Sequence, residues 1–145
     1  KGIPCSDEWL LSPAPYATRE EWCAERLKLS EARLAELPHD IPKVLVNHFP
    51  LRRDLVRLPK IQSFELWCGT AATEDWHLRW GATVCVHGHL HLRATDWRDG
   101  VRFEEVAVGY PRHWMSSKSW DRYLRTILPG PPPPRGSHVG TIWRR

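Results

Sequence analysis

The run Val84-Cys85-Val86-His87-Gly88-His89-Leu90-His91 constrains this chain more than any other stretch. Three apolar residues, two of them β-branched, favour a strand. A strand has a side-chain period of two, so His87, His89 and His91 are expected on one face at its end. Neutral imidazole is the commonest metal-binding side chain, and the pattern therefore points to a metal centre. Gly88 would let the backbone bend or approach a ligand where a Cβ would obstruct it. The plain alternative is a His-rich turn on a solvated strand end. In either case this segment alone does not complete a metal site.

A second run, Lys43-Val44-Leu45-Val46-Asn47-His48-Phe49-Pro50, has the same character. It predicts a buried strand that Pro50 stops, with Asn47 and His48 delivered to its carboxyl end. Ligands of open α/β sheets gather outside the carboxyl ends of strands. A lone His there is more often structural, but two strands that each end in His suggest one shared site.

The surrounding elements follow from local signals. Thr18-Arg19-Glu20-Glu21 is a capping box, and Cys23, Leu27, Ser30, Leu34 and Leu37 follow at helical spacing until Pro38, which predicts a helix packed on a core. Residues 1–17, with three prolines among Trp9, Leu10, Leu11 and Tyr16, read as a partly buried, irregular lead-in. Residues 51–69 read as a loop with a short helix. Thr73 is expected to cap a helix carrying Trp76, His77 and Trp80, which Gly81 closes. Asp99-Gly100 between two β-prone runs, 92–97 and 101–108, predicts a hairpin with a type I′ turn, and the parity of Val106 and Val108 hints at a bulge near Glu104-Glu105. The tract from Pro129 to Pro134 predicts a mobile Pro-rich tail over 129–145.

The 145 residues, 41% hydrophobic and 26% charged, suit a folded globular chain with one core. No apolar run approaches the roughly 18 residues of a membrane span, so a membrane is not expected as a partner. Net charge is +4, but the arginines are scattered, and nucleic acid is not indicated. The four cysteines form no C-x-x-C pair, and without a signal peptide a cytoplasmic location is the default. The sequence opens on Lys1 and its one methionine is Met115, which suggests the C-terminal part of something longer.

Val44 to Pro50 resembles the penultimate motif of the calcineurin-like metallophosphoesterases, and Gly88-His89-Leu90-His91 matches their final G-H-x-H motif. The stretch Asp99 to Val106 with Gly109-Tyr110-Pro111-Arg112, and Trp67-Cys68-Gly69-Thr70 with Asp75-Trp76-His77, are similar to a bacterial, chiefly actinobacterial, branch of that family. The resemblance covers residues 1–128. It implies an α/β fold, the C-terminal half of a two-sheet sandwich flanked by helices, with 129–145 as the tail. It also implies two divalent transition metals (Mn, Fe or Zn). His48 and His89 would ligate one of them and His91 the other, and together they would polarise a phosphate ester and activate water.

The departures matter as much. The family's D-x-H, G-D-x-x-D and G-N-H-[DE] motifs are absent, and with them the bridging carboxylate and the leaving-group acid. The expectation is therefore a phosphate mono- or diesterase as part of a full-length protein, with this chain a fragment inactive alone and a missing N-terminal half as its partner. Its substrate would be a phosphorylated small molecule, a nucleotide or a phosphoprotein. Arg52 and Arg53 are candidates to bind substrate phosphate, since Arg suits bidentate phosphate recognition. The alternative is a non-catalytic interaction or remnant domain with a vestigial metal site.

Overall fold

The computed structural model describes residues 5–58, 60–114, 119–133 and 140–144. Pro4, Met115 and Pro134 lie outside them. The chain is α/β, with a five-stranded mixed sheet in the order β1-β2-β4-β3-β5 and helices flanking it. The strands are β1 (Lys43–Val46), β2 (Ala82–His87), β3 (Arg93–Arg98), β4 (Val101–Val106) and β5 (Ile142–Trp143). The helices are α1 (Ser6–Leu10), α2 (Arg19–Ala35) and α3 (Trp76–Arg79), with short 3-10 turns between them.

β1, β2 and β4 are mutually parallel, and β3 returns antiparallel from β4. Asp99 and Gly100 take φ of 53° and 78°, the pair of positive angles a type I′ turn requires. The hairpin register runs unbroken from Arg98↔Val101 to Arg93↔Val106, so the expected bulge is absent. The parity change has another cause: β4 is buried on both faces. Phe103 and Glu105 lie on one face, and Arg102 and Glu104 on the other.

The first face carries the apolar core. Cys85, Val101 and Phe103 pack with Leu51, Leu55, Trp76 and Trp80, and Leu27, Leu34 and Leu45 lean against them. Across the second face runs the irregular segment 119–133. Arg125 pairs with Glu104 at 2.8 Å, and Arg102 bonds the carbonyl of Ile127. Glu104, fully buried, is also met by Arg102 at 3.2 Å, Arg144 at 3.4 Å and the hydroxyl of Thr95 at 2.8 Å. A buried carboxylate is tolerable only when it is paired in this way.

Four sequence expectations are corrected here. The helix capped by Thr18 forms as expected, with Glu21 N–H donating to Thr18 Oγ1 at 3.1 Å. Leu27 and Leu34 of its stripe pack against the core as expected, but no residue of the helix is fully buried and Cys23 is exposed. Thr73 caps nothing; its buried hydroxyl donates to the carbonyl of Leu51 at 2.8 Å, tying two loops together. The lead-in is partly buried as expected, at Cys5, but it is not irregular throughout: it carries α1, which leaves Trp9 and Leu10 exposed. Finally, the end of the expected mobile tail is docked. Ile142–Trp143 add to the edge of β3, Thr141 donates to Asp96 at 2.9 Å, and Arg57 lies over the Trp143 ring. Backbone pairing to an open sheet edge outweighs what the proline tract suggests. No helix among the described residues is long and apolar enough to cross a membrane.

Candidate functional site

The carboxyl ends of β1 and β2 are stitched together by their own backbones. Asn47 N–H extends the ladder to the carbonyl of Val86 at 3.0 Å, and Gly88 N–H returns to the carbonyl of His48 at 3.0 Å. The Asn47 side chain donates to the carbonyl of Phe49 at 2.9 Å, turning the chain out of the strand. These bonds bring His48 Nε2 to 3.2 Å from His89 Nδ1, with the rings edge to face. Phe49 packs its ring against both imidazoles, at centroid distances of 4.9 and 4.7 Å. Phe64 stacks on His89 from another loop.

The three alternate histidines do not share a face. β2 ends at His87, and beyond it His89 and His91 adopt φ of 71° and 56°. It is these residues, and not Gly88, that take left-handed backbone. Each such residue costs about 1 kcal/mol against a right-handed conformation, and strain of this kind concentrates at functional sites. His87 therefore stays in the sheet, buried beside Glu105 at 3.4 Å, while His91 packs edge-on against Tyr110.

Burial also governs the proton affinities beneath the site. Desolvation pushes Glu105 up to about 8, against a smaller opposing pull from the backbone amides of Leu92 and Ala107. It also pulls His87 down to about 4. At neutral pH the pair is an uncharged carboxyl beside an uncharged imidazole. The thiols of Cys85 and Cys68 are raised to about 12 and about 11 by burial, which removes them as nucleophiles.

The two candidate arginines stand apart from the histidines. Arg52 donates to Asp54 at 2.9 Å and to Asp99 at 3.2 Å, and Asp99 in turn meets buried His77 at 2.9 Å. Asp99 sits on the hairpin turn, which the register places beside the amino-terminal end of β2, at the opposite end of the sheet from His48 and His89. Arg53 pairs with Glu65 at 3.1 Å and is largely exposed.

A cleft of about 460 Å³ opens next to the histidine pair, between α2 and the loops after β1. Trp22, Leu27, Trp67 and Trp76 line it, with Asn47 and Phe49 forming the wall shared with the histidines. The sequence reading missed both this cleft and the part played by Phe49 and Phe64. The F-P dipeptide after His48 was its one visible trace.

Whether these residues suit a metal is a question of geometry. Two nitrogens bound tetrahedrally to one cation at 2.0–2.1 Å stand about 3.3 Å apart, which the His48–His89 separation of 3.2 Å matches. The pair thus fits one edge of a coordination site. Among the described residues, no three His, Cys, Asp or Glu side chains gather as a group able to hold a metal ion.

Comparison with known proteins returns no matching family model. The chain is 51% identical over 131 residues to the [acyl-carrier-protein] phosphodiesterase PptH of Mycobacterium tuberculosis, a match that covers 90% of this chain and 40% of that protein. It also matches the crystal structure of phosphopantetheinyl hydrolase (PptH) from the same organism. The TM-score is 0.78 at 51% identity, covering 92% of this chain and 47% of that one. The chain therefore spans less than half the length of the relative it resembles.

These findings correct the sequence reading. The likeness is to an acyl-carrier-protein phosphodiesterase, and the assignment as the C-terminal half of a calcineurin-like metallophosphoesterase, incomplete for catalysis, is withdrawn in its favour. The relative is by name a phosphodiesterase.

Proposed function

We propose that the protein carrying this chain hydrolyses the phosphodiester that joins a phosphopantetheinyl group to an acyl carrier protein. One observation carries the reading: 51% identity over 131 of the 145 residues with a phosphodiesterase of that specificity. A match of that length leaves too few residues outside it to exclude the segment from His48 to His91.

In this reading the phosphorus lies at the carboxyl ends of β1 and β2. His48 and His89 are the residues that would hold a divalent Mn, Fe or Zn ion there, and His91, beside Tyr110, would be the ligand for a second. Such cations supply a polarised phosphoryl oxygen and an acidified water. The chain's own contribution is to fix the two imidazoles. The backbone bonds Asn47–Val86 and Gly88–His48 set their separation. Phe49 and Phe64 hold the rings and exclude water from one side. Arg52 is held by Asp54 and by Asp99 at the opposite end of the sheet and is left out of this reading, whereas Arg53 is largely exposed and stays the arginine candidate for the phosphate.

The test is incubation of the protein with a phosphopantetheinylated carrier protein. Mass spectrometry should show the carrier lose its phosphopantetheinyl mass in a reaction that a chelator stops. A carrier that keeps its prosthetic group under saturating Mn, Fe or Zn would overturn the proposal.

A further inference from the structure

We infer that the cleft under α2 binds the pantetheinyl arm of the substrate, so that the arm lies along the helix while its phosphate reaches the histidine pair. The inference rests on the function proposed above and adds where the arm goes. Three observations carry it.

The first is that α2 presents Trp22, Cys23, Arg26, Leu27 and Ser30 at helical spacing to the cleft, yet has no buried residue. An amphipathic helix normally buries such a stripe. Here Leu27 leans on the core, while the rest of this face borders a space of about 460 Å³, within the usual range for a small-molecule site.

The second is continuity. Asn47 and Phe49 line the cleft, and His48 lies between them in sequence. The ring of Phe49 touches both His48 and His89. A ligand that fills the cleft and extends past Phe49 arrives at the imidazoles.

The third is chemical match. The lining contains no Asp or Glu; Arg26 lines it from α2, while Arg19, also in the lining, is paired with Glu8. The rest is aromatic and aliphatic surface with a few hydroxyl and amide groups. A pantetheinyl arm is the same mixture, two amides set between methyl and methylene groups.

Cys23 makes the idea testable, because it lines the cleft and is the one exposed cysteine of the four. Alkylation of Cys23 by iodoacetamide is followed by peptide mass spectrometry in the whole protein, with S-methylated phosphopantetheine, S-methylated pantetheine or inorganic phosphate present. Both arm-bearing probes should slow alkylation and phosphate alone should not. Equal alkylation with and without the arm-bearing probes overturns the inference, as does protection by phosphate alone.

The variant Ser30→Trp fills the cleft without touching the histidines. It should raise KM for the carrier substrate about tenfold, equivalent to about 1.4 kcal/mol of binding, and leave kcat/KM for bis(p-nitrophenyl) phosphate unchanged. An unchanged KM for the carrier overturns the arm assignment. Failure of the whole protein to cleave any diester would instead overturn the proposed function, and the alkylation result would still stand on its own.

Discussion

His48 Nε2 and His89 Nδ1 stand 3.2 Å apart although 41 residues separate them in the chain. The contact is a product of parallel pairing. β1 and β2 run side by side in register, Val46 opposite Val86, so whatever follows each strand meets at the same end of the sheet. Strand order and the backbone bonds after each strand bring the two imidazoles together, and Phe49 and Phe64 pack against the rings.

If this pair holds the cation, each imidazole is needed. His48→Ala and His89→Ala should each reduce diester hydrolysis by the whole protein by two orders of magnitude or more, the scale seen when a metal site loses its support. Both should also weaken Zn or Mn binding in titration calorimetry. His48 is exposed and His89 half-buried, so the midpoint of thermal unfolding should change little. Full activity in either variant would remove the pair from the mechanism.

Two glycines at positive φ should respond very differently to a methyl group. Gly100, at φ 78°, has nothing near an added Cβ, so Gly100→Ala meets only the backbone penalty of about 1 kcal/mol. Gly69 is at φ 123°, outside the region an L-residue tolerates, and its Cβ would stand 3.0 Å from the carbonyl oxygen of Pro50 and 3.4 Å from Phe49 Cβ. Gly69→Ala should therefore be the more destabilising by urea unfolding, and it should disturb Phe49 and with it the histidines. Equal losses would mean that the Gly69 loop gives way freely.

The buried carboxylate on the second face gives a stability test remote from the site. Glu104, itself fully buried, balances buried Arg102 and the partly exposed Arg125 and Arg144. Glu104→Gln leaves those cations without their counter-charge, and loss of one partner from a buried pair costs about 3–5 kcal/mol. Denaturant unfolding that shows a loss below about 1 kcal/mol would place the network in the range of surface pairs.

The elements that the sequence predicted well are those fixed by neighbours along the chain. Thr18 with Glu21, Asp99 with Gly100, and the β-branched runs before Asn47 and before His87 each declare themselves within a few residues. The α/β class and the convergence of His48 with His89 followed from them. What was not readable depended on partners far away. The stripe Cys23-Leu27-Ser30 had the right period, but whether a helix stripe meets core or cleft is decided by the loops opposite. The parity change near Glu104-Glu105 read as a bulge because nothing local revealed that Arg125 and Arg144 cover the second face. The alternation of His87, His89 and His91 failed because Gly88 bonds to His48 and draws the chain out of the strand. The docking of Ile142–Trp143 was hidden behind a proline tract that locally argues for a free tail.

The Glu105–His87 pair sets a pH signature. Glu105 is raised from 4.5 to about 8, so between those values the folded chain holds a proton that the unfolded chain has released, and stability falls as pH rises. His87 is lowered from 6.5 to about 4, so between those values the unfolded chain takes up a proton that the folded chain refuses, and stability rises with pH. The two slopes oppose each other from about pH 4.5 to 6.5 and leave Glu105 alone from 6.5 to 8. In that upper window unfolding free energy should decline by about 1.4 kcal/mol per pH unit, the slope for one proton, and then level off. Glu105→Gln, which keeps the shape and cannot ionise, should flatten the decline. A decline of the same slope in Glu105→Gln would assign the proton to another group.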